Sequence, residues 1–259
     1  MLSFLVEERK RRSWLEKLQS GQIRAHHGLR KIGKTSIMHR VLKEVRENYD
    51  CDTIFVDCQT DGVFRLGAAQ LLNSIAGTME SFRESNAGEV YELVPIVDEI
   101  SMEAAAQRLN SIAVSLIRPC IIAFDEVDYI TPGSPTASHW RADFIEFWRN
   151  VRAAYQATSR ADRNLSVLVC GVSSKWFSVE SIDGVENAAL SFIPEEYLSP
   201  LPRGASAAMI KNIGTMAGLQ FDDEAADRIA AACSDMPFWI RKACSYIHGR
   251  TDTAARPQR

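Results

Sequence analysis

Hydrophobic positions along this chain fall into two patterns. Short, nearly continuous apolar runs suit strands buried on both faces, and longer stretches with apolar residues three and four apart suit amphipathic helices. The runs cover residues 53–58 (TIFVDC), 120–124 (CIIAF) and 165–170 (LSVLVC), and a short strand at 23–27 (IRAHH), poor by this pattern, is expected before the turn at Gly28. Pro119 at the mouth of the second run favours strand over helix. The periodic stretches are 35–47, with Ile37, Met38, Val41, Leu42 and Val45 on one face, and then about 68–78, 102–117 and 138–158. Ser138 stands where it could cap the last of these. Residues 7–19 predict a charged helix with Trp14, Leu15 and Leu18 as its apolar stripe, closed by Gly21. The acidic stretch 84–99 has no period and reads as a surface excursion. Tyr197-Leu198 read as a last short strand before Pro200 and Pro202.

Beyond residue 200 the texture changes. Residues 205–250 are Ala-rich and helical throughout, broken at Gly218 and Pro237. Strands that alternate with helices, followed by helices alone, predict a parallel α/β core and a small all-helical domain. The boundaries are 1–203 for the core and 204–250 for the helical domain, with 251–259 as a flexible tail.

Composition narrows the function class. At 259 residues, 46% hydrophobic and 24% charged, the chain is an ordinary globular protein. A net charge of −3 gives no global basic field for nucleic acid or acidic lipid, although a local basic patch is compatible with it. The six cysteines show no C-x-x-C spacing, and four lie in apolar segments. They read as buried thiols of a reducing compartment rather than a zinc site or disulfide framework. No segment has the apolar core of a signal peptide, and no run approaches the ~20 apolar residues of a membrane span. A cytoplasmic location is the expectation.

One stretch carries specific chemistry. Gly28-Leu29-Arg30-Lys31-Ile32-Gly33-Lys34-Thr35 fits G-x-x-x-x-G-K-[ST] at every specified position. The glycines let the backbone turn its N–H groups inward onto a phosphate chain. Lys34 then reaches the β- and γ-phosphates, and the Thr35 hydroxyl ligates Mg²⁺ at the start of a helix whose dipole favours anions. A basic, Gly-containing turn is the bland alternative. The strand before it is unusually polar, with Arg24, His26 and His27 where two buried faces are expected. Local packing or hydrogen bonding suits these histidines better than metal binding, because no Asp, Glu or Cys is spaced to join them.

Triphosphate hydrolysis also needs an acid to hold the metal and another to order the attacking water, and in such sheets both follow an apolar strand. Cys120-Ile121-Ile122-Ala123-Phe124-Asp125-Glu126 supplies them. Asp125 would hold Mg²⁺ through water, and Glu126 would polarise the nucleophilic water as general base. Together with Lys34, Glu126 forms the expected catalytic pair. Asp128 either orders Glu126 or faces solvent. The absence of an N-K-x-D element favours ATP over GTP. Ser173 and Ser174, just past the 165–170 strand, stand where a γ-phosphate sensor would be useful, or they cap a turn. Arg160 and Arg163 end the long helix, solvated or acting in trans. Pro237 starts a helix that either belongs to the core or lies over the adenine, with Arg241 one turn on and able to reach the phosphates.

These residues carry a resemblance. The loop Gly28–Thr35 with Ser36, the Walker B-type end Asp125-Glu126-Val127-Asp128 and the helical domain with Met236-Pro237 resemble the AAA+-related STAND and archaeal-type P-loop ATPases. That group writes its Walker A loop as G-x-R-R-x-G-K-[TS]-S, and Arg30-Lys31 fit the basic variant. The resemblance implies a five-stranded parallel sheet in order 5-1-4-3-2, flanked by helices, with a C-terminal helical lid. It further implies phosphate contacts from Gly28, Arg30, Lys31, Ile32, Gly33, Lys34, Thr35 and Ser36, and a lid contact from Pro237. Two departures stand out. The aromatic-x-Gly-Arg-Glu box beside the base is Phe4-Leu5-Val6-Glu7-Glu8 here, and the Gly-x-Pro turn of the lid is Asp235-Met236-Pro237.

The leading expectation is therefore a slow, Mg-ATP-hydrolysing switch of bacterial defence or regulation. Its nucleotide state would control homo-oligomer assembly or the binding of a partner that supplies an effector or sensor. The alternative is a DNA-associated AAA+ ATPase of initiator or transposition-regulator type acting on duplex. Lys10-Arg11-Arg12 and Arg30-Lys31 would be its local contacts, and the net charge disfavours it. A third reading is a nucleotide-stabilised scaffold that does not hydrolyse.

Overall fold

The computed structural model describes residue 18 and residues 21–82, 90–161 and 165–254. The expected helix at 7–19 (Leu18 apart), the base-contact box at Phe4, the cations Lys10-Arg11-Arg12 and Arg163 lie outside the described residues. The chain forms two compact units. The larger contains Arg12–Gly28 and Lys34–Tyr197; the smaller joins Leu29–Gly33 to Leu198–Arg259.

In the larger unit five strands alternate with helices: β1 (Arg24–His27), α1 (Lys34–Asn48), β2 (Asp52–Asp57), the single turn α2 (Asp61–Phe64), α3 (Ala68–Ser81), β3 (Val90–Glu92), α4 (Met102–Val114), β4 (Cys120–Asp125), α5 (Trp140–Arg160) and β5 (Leu165–Gly171). A short turn α6 (Lys175–Ser178) and the two-residue hairpin strands β6 (Ser181–Ile182) and β7 (Val185–Glu186) follow. The five strands form one parallel sheet in the order β1-β5-β4-β2-β3. A single parallel bridge from His27 to Tyr197 flanks β1 on its other side. With that bridge in the fifth place, the strands at 24–27, 52–57, 120–125, 165–171 and 197 run 5-1-4-3-2, as expected. Register brings the C-terminal ends together: His27 lies opposite Gly171, Phe124 opposite Val169, and Asp57 opposite Asp125.

Several local expectations change. The stretch 84–99 contains the edge strand β3, which pairs only with β2. Its three residues are too few to show an alternation. The expected strand at Tyr197-Leu198 is one bridge long. Helix α4 stops at Val114, and Ser138 does not cap α5, whose N-cap residue is His139. Ser134 Oγ accepts from Ala137 N at 3.1 Å within the turn that precedes the helix.

The polar first strand is explained by its neighbour. Arg24 pairs with Glu196 at 2.8 Å, and His26 Nε2 faces the same carboxylate at 3.8 Å. Packing behind the sheet is aromatic. Trp148 is fully buried and packs at ring-centroid distances of 5.2–6.4 Å against Phe124, Phe144, Phe147, Phe177 and Phe192. Tilted and edge-on pairs of this kind add directionality to apolar burial and fix α5 on the sheet. All six cysteines are buried and unpaired.

Among the described residues the smaller unit holds three helices, α7 (Arg203–Met216), α8 (Asp223–Ala232) and α9 (Pro237–Ala254). Ile210, Ala226, Ala230, Ile240 and Cys244 form its core. Helix α9 continues four residues into the stretch expected as a tail. Asp235, in the place where the resemblance expects glycine, has φ 57, a left-handed conformation that glycine adopts most readily and Asp tolerates. Its carbonyl accepts from Leu201 N at 3.0 Å, and its carboxylate pairs with Arg203 at 3.2 Å.

Candidate nucleotide-binding site

Each strand of the larger unit delivers its C-terminal residue to one edge of the sheet. Gly28 N donates to Gly171 O at 3.2 Å, which ties the start of the loop to the end of β5. Lys34, the first residue of α1, is 5% exposed, and its Nζ donates to Gly28 O at 2.9 Å. That hydrogen bond ties the two ends of the loop together. Two residues at its tip adopt left-handed backbone, Lys31 with φ 67 and Gly33 with φ 108. For a lysine this costs about 1 kcal/mol, and strain of this kind clusters at ligand clamps. Ile32 is buried, whereas Arg30, Lys31 and Ser36 are exposed.

Asp125 ends β4, two strands from β1 and hence about 10 Å across the sheet. It is 4% exposed, and its Oδ1 accepts from Glu126 N at 3.0 Å. Glu126 is again left-handed, at φ 49. The buried Cys170 of β5 reports on the charges around it. Burial raises its thiol pKa most, Asp125 raises it further, Lys34 lowers it, and Glu126 raises it again. Lys34, Asp125 and Glu126 thus all act electrostatically on the one buried thiol near the end of β5.

The donor set fits a magnesium ion. Among the described residues Asp125 Oδ2 accepts no hydrogen bond and the Thr35 hydroxyl makes none. No group of three or more His, Cys, Asp or Glu side chains able to hold a metal occurs among the described residues. A lone carboxylate and a hydroxyl suit Mg²⁺, which keeps several waters and takes further ligands from phosphates.

The fold is that of the P-loop ATPases. A Walker-type ATPase of Pyrococcus abyssi is similar at a TM-score of 0.61 and 15% identity, over 95% of this chain and 70% of that one. The Aeropyrum pernix ORC1 protein, solved in complex with DNA, is similar at a TM-score of 0.53 and 15% identity, over 94% of this chain and 60% of its own. Domain III of the Thermotoga maritima replication initiation protein DnaA gives 0.52 and 10%, over 97% of this chain and 87% of its own. No protein-family model matches the sequence, and no curated protein matches it. No helix among the described residues is long and apolar enough to cross a membrane.

The remaining sequence candidates divide. Asp128 has a further role: its half-buried carboxylate accepts from Val172 N at 2.5 Å and Ser173 N at 3.2 Å, clamping the chain as it leaves β5. Gly171 is required beside it, because a Cβ there would stand 2.7 Å from Val127 and 3.0 Å from Asp128 Oδ2. Ser173 Oγ accepts from Lys175 N at 3.2 Å and caps a turn. Ser174 is buried, and its hydroxyl bonds Glu195 at 2.8 Å and Tyr197 at 2.6 Å. Those two bonds from Ser174 and Tyr197 hold the Glu195 carboxyl below the usual range. Neither Glu195 nor Tyr197 carries a motif that reading the sequence could have found. Arg160 is exposed at the end of α5. In the smaller unit Pro237 is the first residue of α9, Arg241 is exposed one turn on, and Lys31 Nζ lies 4.0 Å over the Phe238 ring.

His27 is fully buried and neither ring nitrogen has a hydrogen-bond partner. It packs on Phe177 and Tyr197 at 5.6 and 6.1 Å. Burial lowers its pKa below 6.5, against the opposing pull of Asp128 and Glu195 and with the help of Lys34. Below pH 6.5 the unfolded chain therefore takes up a proton that folded His27 resists. Stability should fall as pH drops from 6.5, by up to about 1.4 kcal/mol per unit for this one group. His27→Phe keeps the stacking and removes the titration, so urea unfolding between about pH 7 and pH 5 should show a shallower loss. Equal slopes would remove His27 from the account.

Proposed function

We propose that this chain binds Mg-ATP, hydrolyses it slowly, and works as a switch whose nucleotide state controls assembly or partner binding. The placement of Lys34 beside the end of β5, through Gly28, and of Asp125 and Glu126 at the end of the adjacent strand β4 supports this reading. Gly28, Arg30, Lys31, Ile32, Gly33, Lys34, Thr35 and Ser36 would hold the phosphates. Thr35 and Asp125 would hold Mg²⁺, whose charge would offset that developing on the phosphates. Glu126 would take the proton of the attacking water. Helices 204–250 would act as the lid, through Pro237 and Arg241, and Arg160 or Arg163 could serve a neighbouring copy. The finer STAND-like assignment rests on the basic pair Arg30-Lys31 and the left-handed turn at Asp235.

A second reading, a DNA-associated ATPase, is favoured by the similarity to ORC1 in complex with DNA. Sedimentation of the chain with ATP and with ADP tests the switch. The reading expects a different mass or partner occupancy in the two states, and identical behaviour contradicts it. A salt-sensitive shift with duplex DNA that requires ATP would instead favour the second reading.

A further inference from the structure

Helix α9 buries one face and leaves the other unexplained by folding. Ile240 and Cys244 join the core of the smaller unit, while Trp239 stays 54% and Tyr246 63% exposed. At about 100° per residue, Trp239, Lys242, Tyr246 and Arg250 fall within roughly 80° of one another on the helix surface. The cations interleave with the rings: Lys242 Nζ lies 5.9 Å from the Phe238 ring and the Arg250 guanidinium 5.2 Å from the Tyr246 ring. Helix α9 carries the cations Arg241, Lys242 and Arg250 against one acid, Asp252, within a chain of net charge −3. Neither Arg241 nor Lys242 forms an ion pair among the described residues.

We propose that this stripe binds single-stranded nucleic acid, with bases stacked on Trp239 and Tyr246 and phosphates held by Lys242 and Arg250. A positive strip alone would suit any polyanion, and exposed rings alone any apolar surface. Only a polyanion with accessible π-faces satisfies both. The two rings stand about 10 Å apart along the helix, roughly three steps of a 3.4 Å stack, so they receive splayed bases rather than neighbours in a stack. A duplex keeps its base faces covered and would leave both rings in water. This site is independent of the ATPase reading, because it lies wholly on α9 and its occupancy is read without ATP.

The test is fluorescence anisotropy of a labelled oligothymidylate of about 16 nucleotides with the full 259-residue chain. Trp239→Ala and Tyr246→Ala should each weaken binding about 5- to 150-fold, with the thermal transition unchanged. Trp239→Phe and Tyr246→Phe, which keep a π-face, should restore most of it. Lys242→Ala should reduce the slope of log affinity against log salt by about 0.7. The proposal is overturned if the wild type fails to bind at low salt, if the double alanine variant binds as the wild type does, or if duplex of the same length binds equally well. It is equally overturned if the alanine substitutions change only the sedimentation mass, since that assigns the face to a second copy of the chain.

Discussion

Lys34→Ala is expected to abolish useful ATP binding while leaving a folded chain. In the structure Lys34 is the one buried cation of the loop, fixed at the first turn of α1 with its ammonium 2.9 Å from Gly28 O. That hydrogen bond joins an ammonium to a neutral carbonyl, and losing it should cost about 1.5–3 kcal/mol of stability, too little to unfold a domain of ordinary stability. A triphosphate makes a stronger demand. Removing one partner of a desolvated, hydrogen-bonded charge pair costs about 2–5 kcal/mol, so affinity should fall at least 30-fold and as much as several thousand-fold. Titration with a fluorescent ATP analogue, run beside a thermal melt, separates the two effects. Affinity equal to that of the wild type would mean that the loop is only a basic turn.

Much of this site was legible in the sequence because its parts are local. A glycine-spaced loop, a lysine and a helix start occupy eight consecutive residues, and an apolar run ending in Asp125-Glu126 announces its strand and its acids together. Three of the five strands, β2, β4 and β5, were legible for the same reason, since burial on both faces writes an apolar run, whereas the polar β1 was legible only from its place before the loop. The edge strand β3 has one neighbour and three residues, so burial left no pattern there. What could not be read were partnerships across the chain. Arg24 and His26 look misplaced in a strand until Glu196 appears beside them. Asp128 reaches Val172 and Ser173, and Ser174 is taken by Glu195 and Tyr197; no spacing rule links such residues. Asp235 shows the opposite case. The missing glycine of the expected turn suggested a lost feature, yet the backbone keeps the left-handed conformation with an aspartate, anchored by Arg203.

The second large effect concerns chemistry alone. Glu126 begins the short 3₁₀ turn after β4 in a left-handed conformation, beside a carboxylate suited to the metal and away from the apolar core. Glutamine there preserves size and hydrogen-bonding shape but cannot take a proton from water. General-base catalysis contributes about 10²- to 10⁴-fold, and that factor is the expected loss. Affinity for Mg-ATP should be unchanged or slightly tighter, because one negative charge near the γ-phosphate is gone. The most direct measurement is single-turnover phosphate release, with the chain in excess over Mg-ATP, for the wild type and Glu126→Gln side by side. Release by the wild type, slowed at least a hundredfold in the variant at equal ATP occupancy, is the expected result. A wild type that holds ATP intact, or releases phosphate no faster than Glu126→Gln, would contradict the hydrolytic reading.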